Sequence, residues 1–166
     1  AMEHASQHAH LPSTSRAFDL DAPQDSAEAI IYELCRAKQH CKKHRGTLKL
    51  QPILGGITNK LFKATLADDD CPILIRVYGD GGLIDRVTEI KSFLALAEAG
   101  LGPGSYGTFA NGRLEHFFEG FRTLSPSDLC NKERSLKIAS QLAQSHAAIP
   151  LHPPPGQSRV VPSLWG

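Results

Sequence analysis

The sequence predicts an α+β fold: an antiparallel five-stranded sheet with a packed helix, plus an N-terminal helix and a C-terminal helix. Three observations predict it. The stretches LKLQPILGG, KLFKATLA and PILIRVYG are short, apolar or alternating, and separated by turn-length links, so they pair antiparallel. A helical stretch, LIDRVTEIKSFLALAEAG, follows and packs across them. Two further strand-like stretches, SYGTF and GRLEHFF, are joined by Ala110-Asn111-Gly112, with Asn before Gly as hairpin turns favour. At 166 residues the chain fits one domain or part of a larger one.

Taken in order, residues 1–24 are polar and rich in Ser, His, Pro and Asp, and are expected to be a disordered tail. From Asp25, DSAEAIIYELCRAKQHCKKHRG reads as a helix. Asp25 or Ser26 is placed to cap it, Glu28 lies in its first turn, and Lys42, Lys43 and Arg45 crowd its end before Gly46, where the helix dipole favours cations. After the three strands, the second helix closes at Gly100, a C-terminal cap. Ser125, Pro126 and Asp128 are the cap, first position and capping-box partner of a third helical region, which occupies most of 133–148. The remainder, PLHPPPGQSRVVPSLWG, is proline-rich and irregular.

Composition excludes some classes. A net charge of +1 gives no electrostatic argument for nucleic acid or a membrane surface. No apolar run approaches the ~20 residues of a membrane helix, and the start lacks the apolar core of a secretory signal. Cys35, Cys41, Cys71 and Cys130 lack zinc-ligand spacing and read as free thiols in a reducing, cytoplasmic setting.

Several tempting motifs fail on context. Gly102–Gly107, GPGSYG, matches GxGxxG letter for letter, but it closes a helix and opens a strand. A dinucleotide fingerprint needs the reverse polarity, so that a helix N-terminus faces the pyrophosphate. Gly79–Gly82, GDGG, has the right polarity but is followed by Leu83 and Ile84, not by Lys-Ser/Thr, and reads as a plain turn. Asp68–Asp70 are adjacent carboxylates that point apart at a turn and make a poor Mg²⁺ site. His4, His8 and His10 sit in the tail with no rigid element to fix them as ligands. No metal-binding residue is assigned.

The chemistry concentrates in GGITNKLFKATL, PILIRVYG and the helix after them. Gly55, Gly56, Thr58 and Asn59 form a hairpin loop between two strands; by itself this is an ordinary turn using glycine. Alternation along the next strand puts Ile73, Ile75 and Val77 on one face and Leu74, Arg76 and Tyr78 on the other. Burying Arg76 demands a partner; on an exposed face it needs none. On the following helix, Glu89 shares a face with Phe93 and Leu96, and its nearest candidate cation is Arg76. A strand cation held by a helix carboxylate beneath a glycine-bearing hairpin is the phosphate clamp of kinase-type amino lobes.

With those residues in view, the sequence resembles the choline/ethanolamine kinase family. The matching stretches are GGITNKLF, ILIRVYGDGGLIDRVTEIKSF, GLGPGSYGTFANGRLEHFF and RTLSPSDL, covering roughly residues 46 to 150, with a weaker echo in SLW near the end. GGITN with LIDR and EIKSF leans toward ethanolamine kinases. The resemblance implies a protein-kinase-like N-terminal lobe over residues 25–149, followed by a proline-rich linker, 150–166, toward a missing carboxyl lobe. It implies ATP bound by Gly55, Gly56, Thr58, Asn59, Arg76 and Glu89, with the backbone of His116 to Phe118 as the hinge meeting adenine. His146 matches a position where the family tends to have His, and its helical face reads as a hydrogen-bonded core site. Val87 stands where relatives are usually acidic.

The family's His-x-Asp-x-x-x-x-Asn loop, which supplies the base, does not occur in this sequence, nor does its later acidic Mg²⁺ motif. The implied reaction is transfer of the ATP γ-phosphoryl group to the hydroxyl of ethanolamine or choline in phospholipid precursor synthesis. Mg²⁺ ligands and catalytic residues are expected from the missing lobe. The chain alone is therefore expected to bind nucleotide weakly or not at all and to turn nothing over. The alternative reading is a non-catalytic kinase-like module that pairs with another chain, or with itself, through the lobe face left bare.

Overall fold

The structure is a computed structural model that describes residues 11–36, 48–54, 58–66, 72–79 and 85–148. Its elements are α1 (Pro23–Arg36), β1 (Leu48–Ile53), β2 (Asn59–Leu66), β3 (Ile73–Tyr78), α2 (Arg86–Glu98), β4 (Ser105–Phe109), β5 (Gly112–His116), α3 (Pro126–Cys130) and α4 (Lys132–Ala148). They divide into two compact units, Ala1–Thr123 and Leu124–Gly166.

In the first unit the strands form one antiparallel sheet in the order β1-β2-β3-β5-β4. This is the α+β, kinase-like amino-lobe architecture expected from the sequence. Alternation sets the two faces. Leu48, Ala64, Leu66, Ile73, Ile75, Val77, Phe109 and Leu114 are buried on one of them. The helix that covers this face is α1, through Ala27, Ile30, Ile31 and Leu34, spaced at the i, i+3, i+4, i+7 interval of one helical stripe. The intervening helix α2 carries no fully buried residue, although the sequence assigned it the packing role. Phe93 and Glu89 tie it to the sheet instead, both against Arg113 of β5. Asp85 caps α2, accepting from the N–H groups of Val87 and Thr88 and from the Thr88 hydroxyl. At the other end Gly100, with φ 69°, takes the left-handed conformation that a side chain resists.

Two expectations for the amino terminus are corrected. The segment from residue 11 to 22 is not a tail. Ser13 bridges Thr108 of β4, Thr108 N–H donates to the Pro12 carbonyl, and Ala110 N–H donates to the Arg16 carbonyl. Phe18 is 3% exposed and packs on Phe62 with ring centroids 5.0 Å apart. Its backbone N–H donates to Asn111 Oδ1 at 2.7 Å, and its carbonyl accepts from Asn111 Nδ2 at 3.0 Å. One aromatic side chain and one turn asparagine thus anchor a polar stretch. The second correction concerns the start of α1. The helix begins at Pro23, whose missing N–H costs nothing in a first turn. Ser26 lies inside it and accepts from Asp19 N–H.

In the second unit Ser125 and Asp128 form the capping box as expected. Ser125 Oγ accepts from Asp128 N–H, and Asp128 Oδ2 accepts from Ser125 N–H at 2.8 Å. Asp128 is buried and also pairs with Arg134. Asn131 Oδ1 accepts from Arg134 N–H at the start of α4. His146 is exposed, not a core histidine: α4 has no fully buried residue, so its apolar stripe offers no interior site. Cys130 is an exposed free thiol. The tail histidines, the basic end of the first predicted helix, Asp68–Asp70 and the proline-rich stretch lie outside the described residues, as do the cysteines 41 and 71.

Candidate functional site

The second face of the sheet is polar at its centre. Register puts Asn59 opposite Tyr78, Leu61 opposite Arg76, and Arg76 opposite Arg113. Two guanidinium groups therefore face each other across β3 and β5, an arrangement that repels unless an anion lies between them. Glu115, two residues beyond Arg113 on the same strand face, is that anion. Its Oε1 accepts from Arg76 Nε at 2.5 Å and from Arg113 Nε at 2.7 Å; its Oε2 accepts from Arg76 Nη2 at 3.3 Å. The Glu115 side chain is 2% exposed and that of Arg113 is 7%. Arg76, at 23%, keeps access to solvent.

From α2, Glu89 enters the same cluster, but not through the predicted partner. Its Oε1 accepts from Arg113 Nη1 at 2.9 Å and its Oε2 from Arg86 Nη1 at 2.7 Å. Arg76 and Glu89 belong to one network, yet the direct pair expected between them is replaced by Arg76–Glu115 and Arg113–Glu89. Geometry explains this: a carboxylate on the strand beside Arg76 reaches it as a diagonal cross-strand neighbour, whereas the α2 carboxylate meets Arg113 first. Aromatic rings hold the cations in place. Arg113 lies over Phe93 at 4.3 Å, and Arg86 over Tyr78 at 4.3 Å.

The cluster tunes its own charges. Burial pushes the Glu89 carboxyl up, but hydrogen bonds from Arg86 and Arg113 outweigh it and hold the group below the usual carboxylate value. For Arg113, burial opposes the charge, while the Tyr78 hydroxyl, Glu115 and Glu89 outweigh that and raise its pKa. Three guanidiniums against two carboxylates leave one excess positive charge on a partly buried surface. Such a surface suits an anion.

Of the predicted nucleotide loop, Thr58 and Asn59 are described. Gly55 and Gly56 lie outside the described residues. Thr58 is held at the loop's foot, where its carbonyl accepts from Gly79 N–H at 3.0 Å, just past the end of β3. Asn59, two positions along β2 from Leu61, shares the face of Arg76. Its Oδ1 is buried and has no hydrogen-bond partner among the described residues. A buried amide oxygen without a partner is an acceptor that a ligand's N–H or O–H group can satisfy.

The predicted hinge follows Glu115 directly along the chain. His116 N–H donates to the Gly104 carbonyl and Phe117 N–H to the Pro72 carbonyl, so both are committed to the protein. The His116 ring lies 3.3 Å from the Tyr106 hydroxyl through Nδ1, and its edge meets Phe118 at 5.2 Å. Phe118 is 45% exposed. Lys63 extends over the Phe117 ring at 5.0 Å and pairs with Glu119 at 2.6 Å, fixing the chain just beyond the hinge. Gly102–Gly107 connects α2 to β4, the polarity that excluded it as a fingerprint.

Sequence reasoning missed Arg113 and Glu115. The signal was present: in GRLEHFF the two alternate onto one strand face, and that strand pairs with the one carrying Arg76. Among the described residues no group of three or more His, Cys, Asp or Glu is placed to hold a metal, and no helix is long and apolar enough to cross a membrane.

Comparison with known proteins points to one family. Residues 50–164, more than half of the chain, match the choline/ethanolamine kinase family. The chain is 41% identical over 127 residues to ethanolamine kinase 1 of Mus musculus, covering 75% of this chain and 33% of that protein. It is 29% identical over 158 residues to the choline kinase of Saccharomyces cerevisiae, covering 89% of this chain and 27% of the relative. Among solved structures it is similar to the Plasmodium vivax ethanolamine kinase, with a TM-score of 0.55 and 33% identity over 62% of this chain and 27% of that one. The chain thus spans about a third or less of the length of these relatives. With a family match over more than half of its length, the chain belongs to the choline/ethanolamine kinase family.

Proposed function

We propose that this chain is the ATP-binding amino-terminal lobe of a kinase that transfers the γ-phosphoryl group of MgATP to the hydroxyl of ethanolamine or choline. The observation that carries the proposal is the excess positive charge of the Arg76–Glu115–Arg113–Glu89–Arg86 cluster, on the sheet face that also bears Asn59. In this reading Arg76 meets the phosphates, the 55–59 loop lies over them, and the backbone near Phe118 meets adenine. Asn59 Oδ1 is an acceptor, so its partner in this reading is a donor such as a ribose hydroxyl, not a phosphate oxygen. The lobe supplies positioning and charge neutralisation, which dominate phosphoryl transfer. The base and the Mg²⁺ carboxylates are left to a second lobe, in keeping with the short span of this chain against its relatives.

Because the chain alone is expected to bind weakly, the test is an NMR titration carried to high MgATP concentration, comparing wild type with Arg76→Ala; wild type showing no shifts at all would also overturn the proposal. A guanidinium hydrogen-bonded to a charged group contributes about 1.5–3 kcal/mol, so the substitution is expected to weaken binding about tenfold or more. Shifts are expected at Asn59, Arg76 and Phe118. Equal affinity in the two proteins would remove Arg76 from the site and the proposal with it.

A further inference from the structure

We propose that Glu115, not Glu89, is the residue that positions Arg76 for a nucleotide phosphate, and that Arg113 links this pair to α2. The inference rests on the ATP-lobe reading and assigns a role to two residues inside it.

Three features support it. First, the contact between Glu115 and Arg76 is a two-point fork: Nε to Oε1 at 2.5 Å and Nη2 to Oε2 at 3.3 Å. Two parallel bonds fix the plane of a guanidinium, where one bond would leave it free to swing. The fork occupies the Nε–Nη2 edge and therefore sets the direction of the edge that carries Nη1. Second, the anchor is rigid. Glu115 is almost fully buried, sits on the central part of the sheet and is itself gripped by Arg113 Nε at 2.7 Å through Oε1, so a second strand residue holds its rotamer. Third, Glu89 touches Arg113 and Arg86. Its influence on Arg76 passes through two intervening residues, Arg113 and Glu115.

The order of the chain of charges makes a sharp distinction. Withdrawing the Glu89 carboxylate removes one partner of Arg113 but leaves the Glu115 fork intact. Withdrawing the Glu115 carboxylate leaves Arg76 and Arg113 facing each other across the strands with nothing between them, and their repulsion drives Arg76 off its line. A helix that shifts toward or away from the sheet thus acts on Arg76 weakly, through Arg113, while the strand carboxylate acts on it directly.

The experiment uses the chain labelled with ¹⁵N and the variants Glu115→Gln, Glu115→Asp and Glu89→Gln. Two readouts are taken: the Arg76 Nε–H resonance without nucleotide, assigned by its loss in Arg76→Lys, and the affinity for MgATP. In wild type the Arg76 Nε–H signal is expected to be resolved and slow to exchange. Glu115→Gln is expected to abolish that signature and weaken MgATP by about tenfold or more, while Glu89→Gln keeps the signature and changes affinity by less than about threefold. Glu115→Asp keeps the charge but draws it back by one methylene, breaking the fork. It is expected to fold, to move the resonance and to weaken MgATP by an intermediate factor, so the test stands even if Glu115→Gln does not fold. The proposal is overturned if a folded Glu115 variant retains both the wild-type resonance and the wild-type affinity, or if Glu89→Gln disturbs the resonance as much as Glu115→Gln does. If Arg76→Ala leaves MgATP binding unchanged, the ATP reading fails, while the resonance still reports whether Glu115 holds Arg76.

Discussion

Replacing Phe18 by Ala probes a segment that composition alone assigned to a tail. The side chain is 3% exposed and touches two aromatic neighbours, Phe62 at 5.0 Å and Phe109 at 6.5 Å between ring centroids. Truncating a buried phenylalanine costs about 3–5 kcal/mol through lost transfer energy and the cavity left behind. Surface residues of a tail give about 0.5 kcal/mol or less. Against a total stability of about 5–15 kcal/mol, the difference between those outcomes is easily measured. The companion substitution Asn111→Ala removes the two hydrogen bonds that clamp the Phe18 backbone, about 2 kcal/mol at roughly 1 kcal/mol each. Because the two residues touch, the double variant is expected to lose less than the sum. Near-UV circular dichroism of tyrosine in a urea titration is the suitable assay, since the three tyrosines, Tyr32, Tyr78 and Tyr106, all lie in the unit that contains Phe18. Amide exchange adds a local check: Thr14, Thr108 and Ala110 N–H groups are expected to be protected and to lose protection together in Phe18→Ala. A loss under about 1 kcal/mol, with those amides already exchanging freely in wild type, would refute the docking of residues 11–22.

Further predictions concern the charged face and its strands. Arg113→Met removes one partner from each of two carboxylates and is expected to destabilise the first unit by about 3 kcal/mol or more, read as a lower urea midpoint with unchanged slope. The pH dependence follows from Glu89, whose carboxyl is held below its ordinary 4.5 by Arg86 and Arg113 against the opposing effect of burial. Its contribution is present in full above that value and is lost as pH falls through the lower folded value. The gap in urea midpoint between wild type and Glu89→Gln is therefore expected to hold steady from neutral pH down to about 4.5 and to close below it. In Gly112→Ala the new Cβ would meet the Arg76 carbonyl oxygen at 2.2 Å and the Phe109 ring at 2.3 Å. Since backbone has to give way, the expected loss is at the upper end of the usual ~1–3 kcal/mol for overpacking, with faster amide exchange along β3.

Much of the fold was legible because its strands alternate cleanly and its turns use residues with specific turn chemistry. PILIRVYG could only be a strand with one apolar face, and Asn111-Gly112 could only join neighbours. What was not legible depended on tertiary contact. Phe18 sits with Ala17 and Leu20 in a mostly polar stretch that has no helical or strand periodicity to mark it, and its burial is set by α1 and the sheet together. Pro23 was passed over for Asp25 and Ser26 because capping preferences compete over a few residues. For the site, alternation correctly placed Arg76 away from the apolar face. Choosing its partner required knowing that β5, and not α2, lies beside β3. Glu89 was identified by helical spacing, and spacing cannot say which of two arginines a carboxylate meets.

The facing arginines of β3 and β5 have a consequence for how the sheet assembles. Sliding β5 by one position against β3 would turn Arg113 and Glu115 toward Ile75 and Leu114's side of the sheet, stranding two ions among branched aliphatics. A misaligned β3–β5 pairing is thereby penalised far more heavily than aliphatic strands alone could manage. The ions to which the proposed function gives an anion also serve as a key that admits one alignment of the central strands, so under that proposal selection on either property constrains the other.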